Sequence, residues 1–190
     1  MTGSRRLSQA ISEGDGISVL VEVRDGAGAR AAEEQGAEGI VARLPVAGIR
    51  EASGLPLLWL GTLEQADQAD AVVIDADEHG DRLADAVEEA HGLGLECVLR
   101  VRDEDELEEV LERVDPEILL LSAEDAEAGQ GHLDRLLELL PDVPAGKLAI
   151  AELASASRDE VLELERAGVD AVLVTGGDVG LLVGEALPEV

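Results

Sequence analysis

The sequence contains no phenylalanine and no tyrosine, and a single tryptophan, Trp59, is its whole aromatic complement. A hydrophobic share of 46% in 190 residues still argues for a sizeable core. That interior must be filled by Leu, Val, Ile and Ala, which pack densely but supply few large anchors. One cysteine, Cys97, excludes an internal disulfide. Basic residues are scarce too: 14 stand against 43 acidic ones, for a formal net charge of -29, and Lys147 is the sole lysine. This balance argues against nucleic acid or anionic membrane as partners, because both are bound by neutralising phosphate. An acidic, lysine-poor surface suits a salt-adapted protein, whose self-repulsion is screened at high ionic strength, and equally a generically acidic bacterial or engineered sequence. No apolar run approaches membrane-spanning length, and Arg5 and Arg6 are not followed by the apolar stretch of a secretion signal. A soluble cytoplasmic protein, monomer or homodimer, is the expectation.

Hydrophobic periodicity organises the rest. After a polar, Gly-punctuated segment, residues 1–16, with a short helix around 6–12, strand-like apolar runs fall at 17–23, 39–44, 56–60, 70–75, 96–101, 118–121, 147–151 and 171–174. Amphipathic stretches alternate with them at 27–35, 46–52, 62–69, 81–90, 104–113, 132–140, 157–167 and 179–187. Thr62, Asp103 and Ser157 are placed to cap three of these helices, Pro141 closes one, and Gly36, Gly54 and Gly168 end others.

Strand and helix alternating without a break in phase predict parallel βαβ units, and near-continuous apolar strands predict a sheet covered on both faces. Eight such units predict an α/β protein folded as a compact single-domain (βα)8 (TIM) barrel over residues 17–190, with minimal loops. Barrels of this kind run to about 250 residues, and about 200 at the low end. The competing open, doubly wound sheet calls for a Gly-rich first turn, and Asp25-Gly-Ala-Gly28 is too short for one and lacks its third glycine.

In a barrel, chemistry belongs to the C-terminal ends of the strands. Glu22, Arg24, Arg43, Asp75, Arg100, Arg102 and Glu152 fall there, so four of the few basic residues converge. Two readings follow. Carboxylates 22, 75 and 152 neutralise the arginines in a salt-bridged network, or the guanidiniums form a pocket for phosphate or carboxylate. Thr175-Gly-Gly-Asp178 before the last helix is a second anion candidate, although Asp178 occupies the same helix dipole and an ordinary capped turn explains the residues as well. A bound phosphosugar would meet Arg24, Arg100, Gly176 and Gly177. His79, His91 and His132 lack mutual metal-ligand spacing, and Asp75-Ala-Asp-Glu78 is one acidic turn in an acidic chain, so neither a metal nor a cofactor is expected. Cys97 has strand parity opposite to Arg100 and should be a buried thiol under the helices. Trp59 ends the third strand and reads as core filling.

Several segments in order resemble indole-3-glycerol phosphate synthase, a barrel enzyme of tryptophan biosynthesis. LGLECVLRVRDEDELEEVL at 93–111 is similar to that family's fifth unit, VLVEVR at 19–24 to its Glu-x-Lys first strand, PLLWLG at 56–61 to its third strand, and AELASASRDEVLELERAGVDAVLV at 151–174 to its seventh and eighth units. The resemblance implies catalytic roles for Glu22 and Glu152. It also places Arg24 where the family has a substrate-binding lysine, Leu60 on the acid lysine of strand three and Arg100 on the catalytic glutamate of strand five. Leu121 and Leu153 fall on the asparagine and serine of strands six and seven. A leucine cannot transfer a proton, and an arginine stays charged and cannot act as a base. The first and second βα loops, which enclose substrate in the family, are cut to little more than Asp25 to Gly28 and Pro45 to Gly48. A minimal barrel without the synthase reaction is the first expectation. A lyase or isomerase acting on a phosphorylated small molecule through Glu22 and Glu152 is the second.

Overall fold

The computed structural model describes residues 5–14, 16–45, 48–123, 131–175 and 178–183. Eight parallel strands follow one another around a closed barrel in chain order: β1 Ser18–Glu22, β2 Gly39–Ala42, β3 Leu57–Trp59, β4 Ala71–Asp75, β5 Glu96–Val101, β6 Ile118–Leu121, β7 Leu148–Leu153 and β8 Ala171–Val174. The seam joins β8 to β1, with Ser18 opposite Ala171 and Val21 opposite Val174, so the sheet is closed and the open alternative is excluded. Around it lie α1 Arg6–Glu13, α2 Gly26–Glu34, α3 Ile49–Ala52, α4 Ala76–His79, α5 Leu83–Gly92, α6 Glu104–Arg113, α7 His132–Leu139, α8 Arg158–Ala167 and α9 Val179–Val183. Residues 184–187 of the expected last helix lie outside the described residues. No helix among the described residues is long and apolar enough to cross a membrane.

Period-two alternation splits the apolar residues into two cores. Leu20, Val41, Leu58, Val73, Val98, Ile118, Leu120, Ile150 and Leu173 fill the barrel axis. Their strand neighbours Val21, Ile40, Trp59, Ile74, Leu99, Leu119, Leu121 and Val172 face the helices. With no large aromatics inside, space at the floor is taken by another element. α1, the short helix of the N-terminal segment, inserts Leu7 and Ile11, 0% and 4% exposed, into the axial cluster. Its free N-terminal amides are capped by a side chain from the barrel, as Leu7 and Ser8 donate to the Glu96 carboxylate at 2.7 and 3.1 Å. Gly39 keeps this floor tight, since a β-carbon there would lie 2.6 Å from Leu20 Cδ2.

Local signals set the helix starts. Asp103 accepts from Glu106 N at 2.8 Å to cap α6, and Ser157 forms a capping box with Glu160 at the start of α8. Asp25 caps α2 through Gly28 N at 2.7 Å, so Asp25-Gly-Ala-Gly28 is a helix cap. The third unit departs from expectation, because only a single 3-10 turn, Leu63–Gln65, stands where a helix over 62–69 was expected. That segment must return from the top of β3 to Asp70 at the floor. Only residues 60–70 join β3 to β4, and eight of them wound as a helix would advance about 12 Å, leaving three to make both turns and complete the return over the roughly 17 Å that β4 then climbs. Asp70 is also fixed at the floor, where Arg6, Arg50 and the Leu57 amide donate to its carboxylate. Of the 62–69 stretch only Ala66 is buried, so little apolar surface favours a helix there.

Candidate functional site at the barrel mouth

Strand ends bring the charged residues together. Glu22 closes β1 and Asp75 closes β4, Arg100 and Glu152 are the penultimate residues of β5 and β7, and Arg43 and Arg102 follow β2 and β5. Inward parity places their side chains over the axial core. They form one alternating chain of ion pairs. Arg43 Nε donates to Glu22 Oε2 at 3.0 Å and its Nη2 to Glu152 Oε1 at 3.2 Å. The same Glu152 oxygen accepts from Arg100 Nη2 at 3.1 Å, and Arg100 Nη1 reaches the Asp75 oxygens at 3.3 and 3.4 Å. Arg102 Nη2 donates to Asp75 Oδ1 at 2.6 Å and pairs with Glu106 on α6.

Burial is deepest at the centre. Arg100 is 7% and Glu152 5% exposed, whereas Arg24 is exposed to solvent. Each buried ion therefore depends on its neighbours for compensation, which the alternation of guanidinium and carboxylate supplies. Three polar atoms here have no hydrogen-bond partner: Arg100 Nε, Glu152 Oε2 and the hydroxyl of Ser122. Ser122 follows β6, between Arg100 and Glu152, and its amide donates to Val101 O at 3.0 Å. Buried polar groups in this state are uncommon and favour reorganisation of the cluster or a small polar guest.

The structure brings Glu22, Arg43, Asp75, Arg100, Arg102 and Glu152 into one network and leaves Arg24 outside it. Gly176 and Gly177 lie outside the described residues. Asp178 accepts from Gly180 N at 3.1 Å, so its carboxylate serves the start of its own short helix. Parity separates two of the carried-over positions from the site. Leu121 and Leu153 face the helices, and the inward residues beside them are Ser122 and Glu152. Sequence reasoning missed Ser122 and Glu106. Two steps along β6 from inward-facing Leu120 would have found the first, and the i,i+4 spacing from Arg102 the second.

His79 Nδ1 lies 3.0 Å from the Asp75 carbonyl oxygen, and no group of three metal-ligating side chains occurs among the described residues. Cys97 is buried behind β5 with its Sγ 3.8 Å from Val87 O, and burial pushes its thiol up to about 12, with the neighbouring Glu96 charge adding to the effect. It is a neutral packing group at ordinary pH.

The class defined by this geometry is a compact (βα)8 barrel whose C-terminal mouth is lined by ion pairs. No family model matches the chain. Among curated proteins, indole-3-glycerol phosphate synthase of a Geobacillus species is 29% identical over 92 residues, 48% of this chain and 36% of that protein. The synthase of Variovorax paradoxus is 34% identical over 85 residues, 45% and 32% respectively, and that of Geobacillus thermodenitrificans 25% identical over 135 residues, 66% and 52%. The chain spans about a third to a half of the length of these relatives. Among solved structures, N-acetylmannosamine-6-phosphate 2-epimerase from Clostridium perfringens superposes with a TM-score of 0.70 over 85% of this chain and 87% of that one, at 16% identity, which concerns the fold. The expected resemblance to indole-3-glycerol phosphate synthase is thus present in segments of a shortened (βα)8 barrel.

Proposed function

We propose that this chain is a barrel of the indole-3-glycerol phosphate synthase type in which the catalytic end has become a structural ion-pair network, without the synthase reaction. The observation that carries this reading is Arg100. It stands where the resemblance places a catalytic glutamate, it is buried, and its terminal nitrogens are held by Asp75 and Glu152. A permanently charged donor clamped between two carboxylates can neither take a proton nor open toward substrate. Leu60, on the position of the acid lysine, removes the other half of the proton traffic. Expression in a tryptophan auxotroph lacking the synthase tests this directly: the proposal requires no growth without tryptophan, and growth would overturn it. The protein works in the cytoplasm as a monomer or homodimer, a state that sedimentation equilibrium reads.

A second reading is favoured by one observation, the unpartnered Oε2 of buried Glu152. In it Glu152 and Glu22 act as acid and base of a lyase or isomerase, while Arg24, Arg100, Gly176 and Gly177 hold the substrate phosphate. Binding would require Arg100 to leave a carboxylate. Calorimetric titration with inorganic phosphate in modest salt separates the readings, because the ion-pair network gives no saturable heat up to millimolar phosphate.

A further inference from the structure

The shortened third crossover opens the side of the barrel. β3 and β4 are in register only at Leu58 with Ala71 and Trp59 with Val72, so β4 from Val73 to Asp75 rises with no paired residue on β3. A cavity of about 620 Å³ occupies the gap, within the range of small-molecule sites. It is lined both by Val72 and Ile74, which face the helices, and by Val73, Asp75 and Arg100, which face the axis. The opening therefore runs above the short β3–β4 pairing of the closed sheet, beside the axial mouth.

We propose that this lateral cavity binds a small organic amine whose far end carries a neutral hydrogen-bond acceptor. The outer charges select the amine. Exposed Glu64, Glu78, Asp85 and Glu89 line the cavity against a single exposed guanidinium, Arg82, on a chain whose overall charge of -29 already concentrates cations. The inner end selects the acceptor. Arg100, 7% exposed, contributes to the lining, and its Nε has no hydrogen-bond partner while its other nitrogens serve Asp75 and Glu152. A carboxylate on the ligand would meet those two carboxylates at close range, whereas a hydroxyl or carbonyl that displaces the atoms covering this buried N–H satisfies it without that repulsion. Leu60, Leu63 and Ala86 give the middle of the ligand an apolar wall. The site does not depend on whether the mouth is catalytic.

Trp59 reports on it. Its indole packs over Gly61, and its Nε1 donates to Thr62 O at 3.0 Å, and both of those residues line the cavity. The full-length protein is titrated with 5-amino-1-pentanol at fixed modest salt while tryptophan emission is followed. The expected result is saturable, with 1-pentanol and 5-aminopentanoate each weaker by about tenfold or more. Glu78→Gln with Asp85→Asn weakens the aminoalcohol about tenfold, while the same neutralisation on α6, Glu108→Gln with Glu112→Gln, leaves it unchanged. No saturable change up to millimolar ligand overturns the proposal, as does equal binding of 5-aminopentanoate. An equal loss in both double variants also overturns it, because that marks diffuse attraction to an acidic protein.

Discussion

Arg100 concentrates the physical logic of this molecule in one side chain. It bridges β4 and β7 by neutralising Asp75 and Glu152 at once, so its removal leaves Asp75 with Arg102 alone and Glu152 with Arg43 alone, two carboxylates short of a shared cation at the barrel top. Breaking one partner of a buried ionic cluster costs about 3–5 kcal/mol. Arg100→Met is accordingly expected to lower unfolding free energy by about that amount in urea titrations, and Arg100→Met with Asp75→Asn and Glu152→Gln to recover most of it. A single variant as stable as the wild type would show that the network contributes nothing. Cys97, three positions before Arg100 on the same strand, makes a different prediction. Its thiol is raised from an ordinary 9.0 to about 12 in the folded chain, so the unfolded state loses its proton first as pH rises. The stability this residue contributes is whole below pH 9 and lost between there and about 12. Cys97→Ala should flatten the fall of melting temperature across that window, and native protein at pH 8 should resist iodoacetamide until denaturant is added.

At the scale of elements, the floor of the barrel shows how an aromatic-free sequence completes its core. α1 is mostly polar, yet Leu7 and Ile11 recur four residues apart and close the axis beneath Leu20 and Ile118. Leu7→Ala removes a fully buried side chain from the axial cluster, and about 2–5 kcal/mol is the expected loss. Chemical denaturation measures it, and a loss below 1 kcal/mol would mean that α1 is merely laid on the surface. This helix was visible in the sequence only as a short periodic stretch, because two apolar residues do not disclose what they pack against. By contrast β5, β6 and β8 were legible to the residue, since short runs rich in valine, isoleucine and leucine are set off there by Gly, Asp and Pro. The helix expected over 62–69, after β3, is replaced by a single 3-10 turn for a reason no local pattern carries, namely the height that so short a crossover has to span. Similarly, parity from the strands gave Glu22, Asp75, Arg100 and Glu152 as a group. The sequence left the side-chain geometry open, and with it the choice of a paired network over open guanidiniums.

Considered whole, the molecule sets a strongly repulsive surface around a densely packed apolar interior. A formal charge of -29 on 190 residues raises the free energy of the compact state more than that of the expanded chain. Added salt shortens the screening length from about 10 Å at 0.1 M to about 3 Å at 1 M, so the repulsion fades while surface pairs such as Lys147 with Asp115 lose little of their small worth. Melting temperature is therefore expected to rise with potassium chloride up to about 1 M. The mouth network answers to different physics, because Arg100 and Glu152, at 7% and 5% exposure, are shielded from mobile ions. Salt should move the stabilities of the wild type and Arg100→Met in parallel, leaving the gap between them unchanged across the series. Urea titrations of both proteins at each salt concentration measure it. A gap that closes as salt is added would place those ion pairs in contact with solvent and remove the basis for treating them as a structural replacement for a catalytic site.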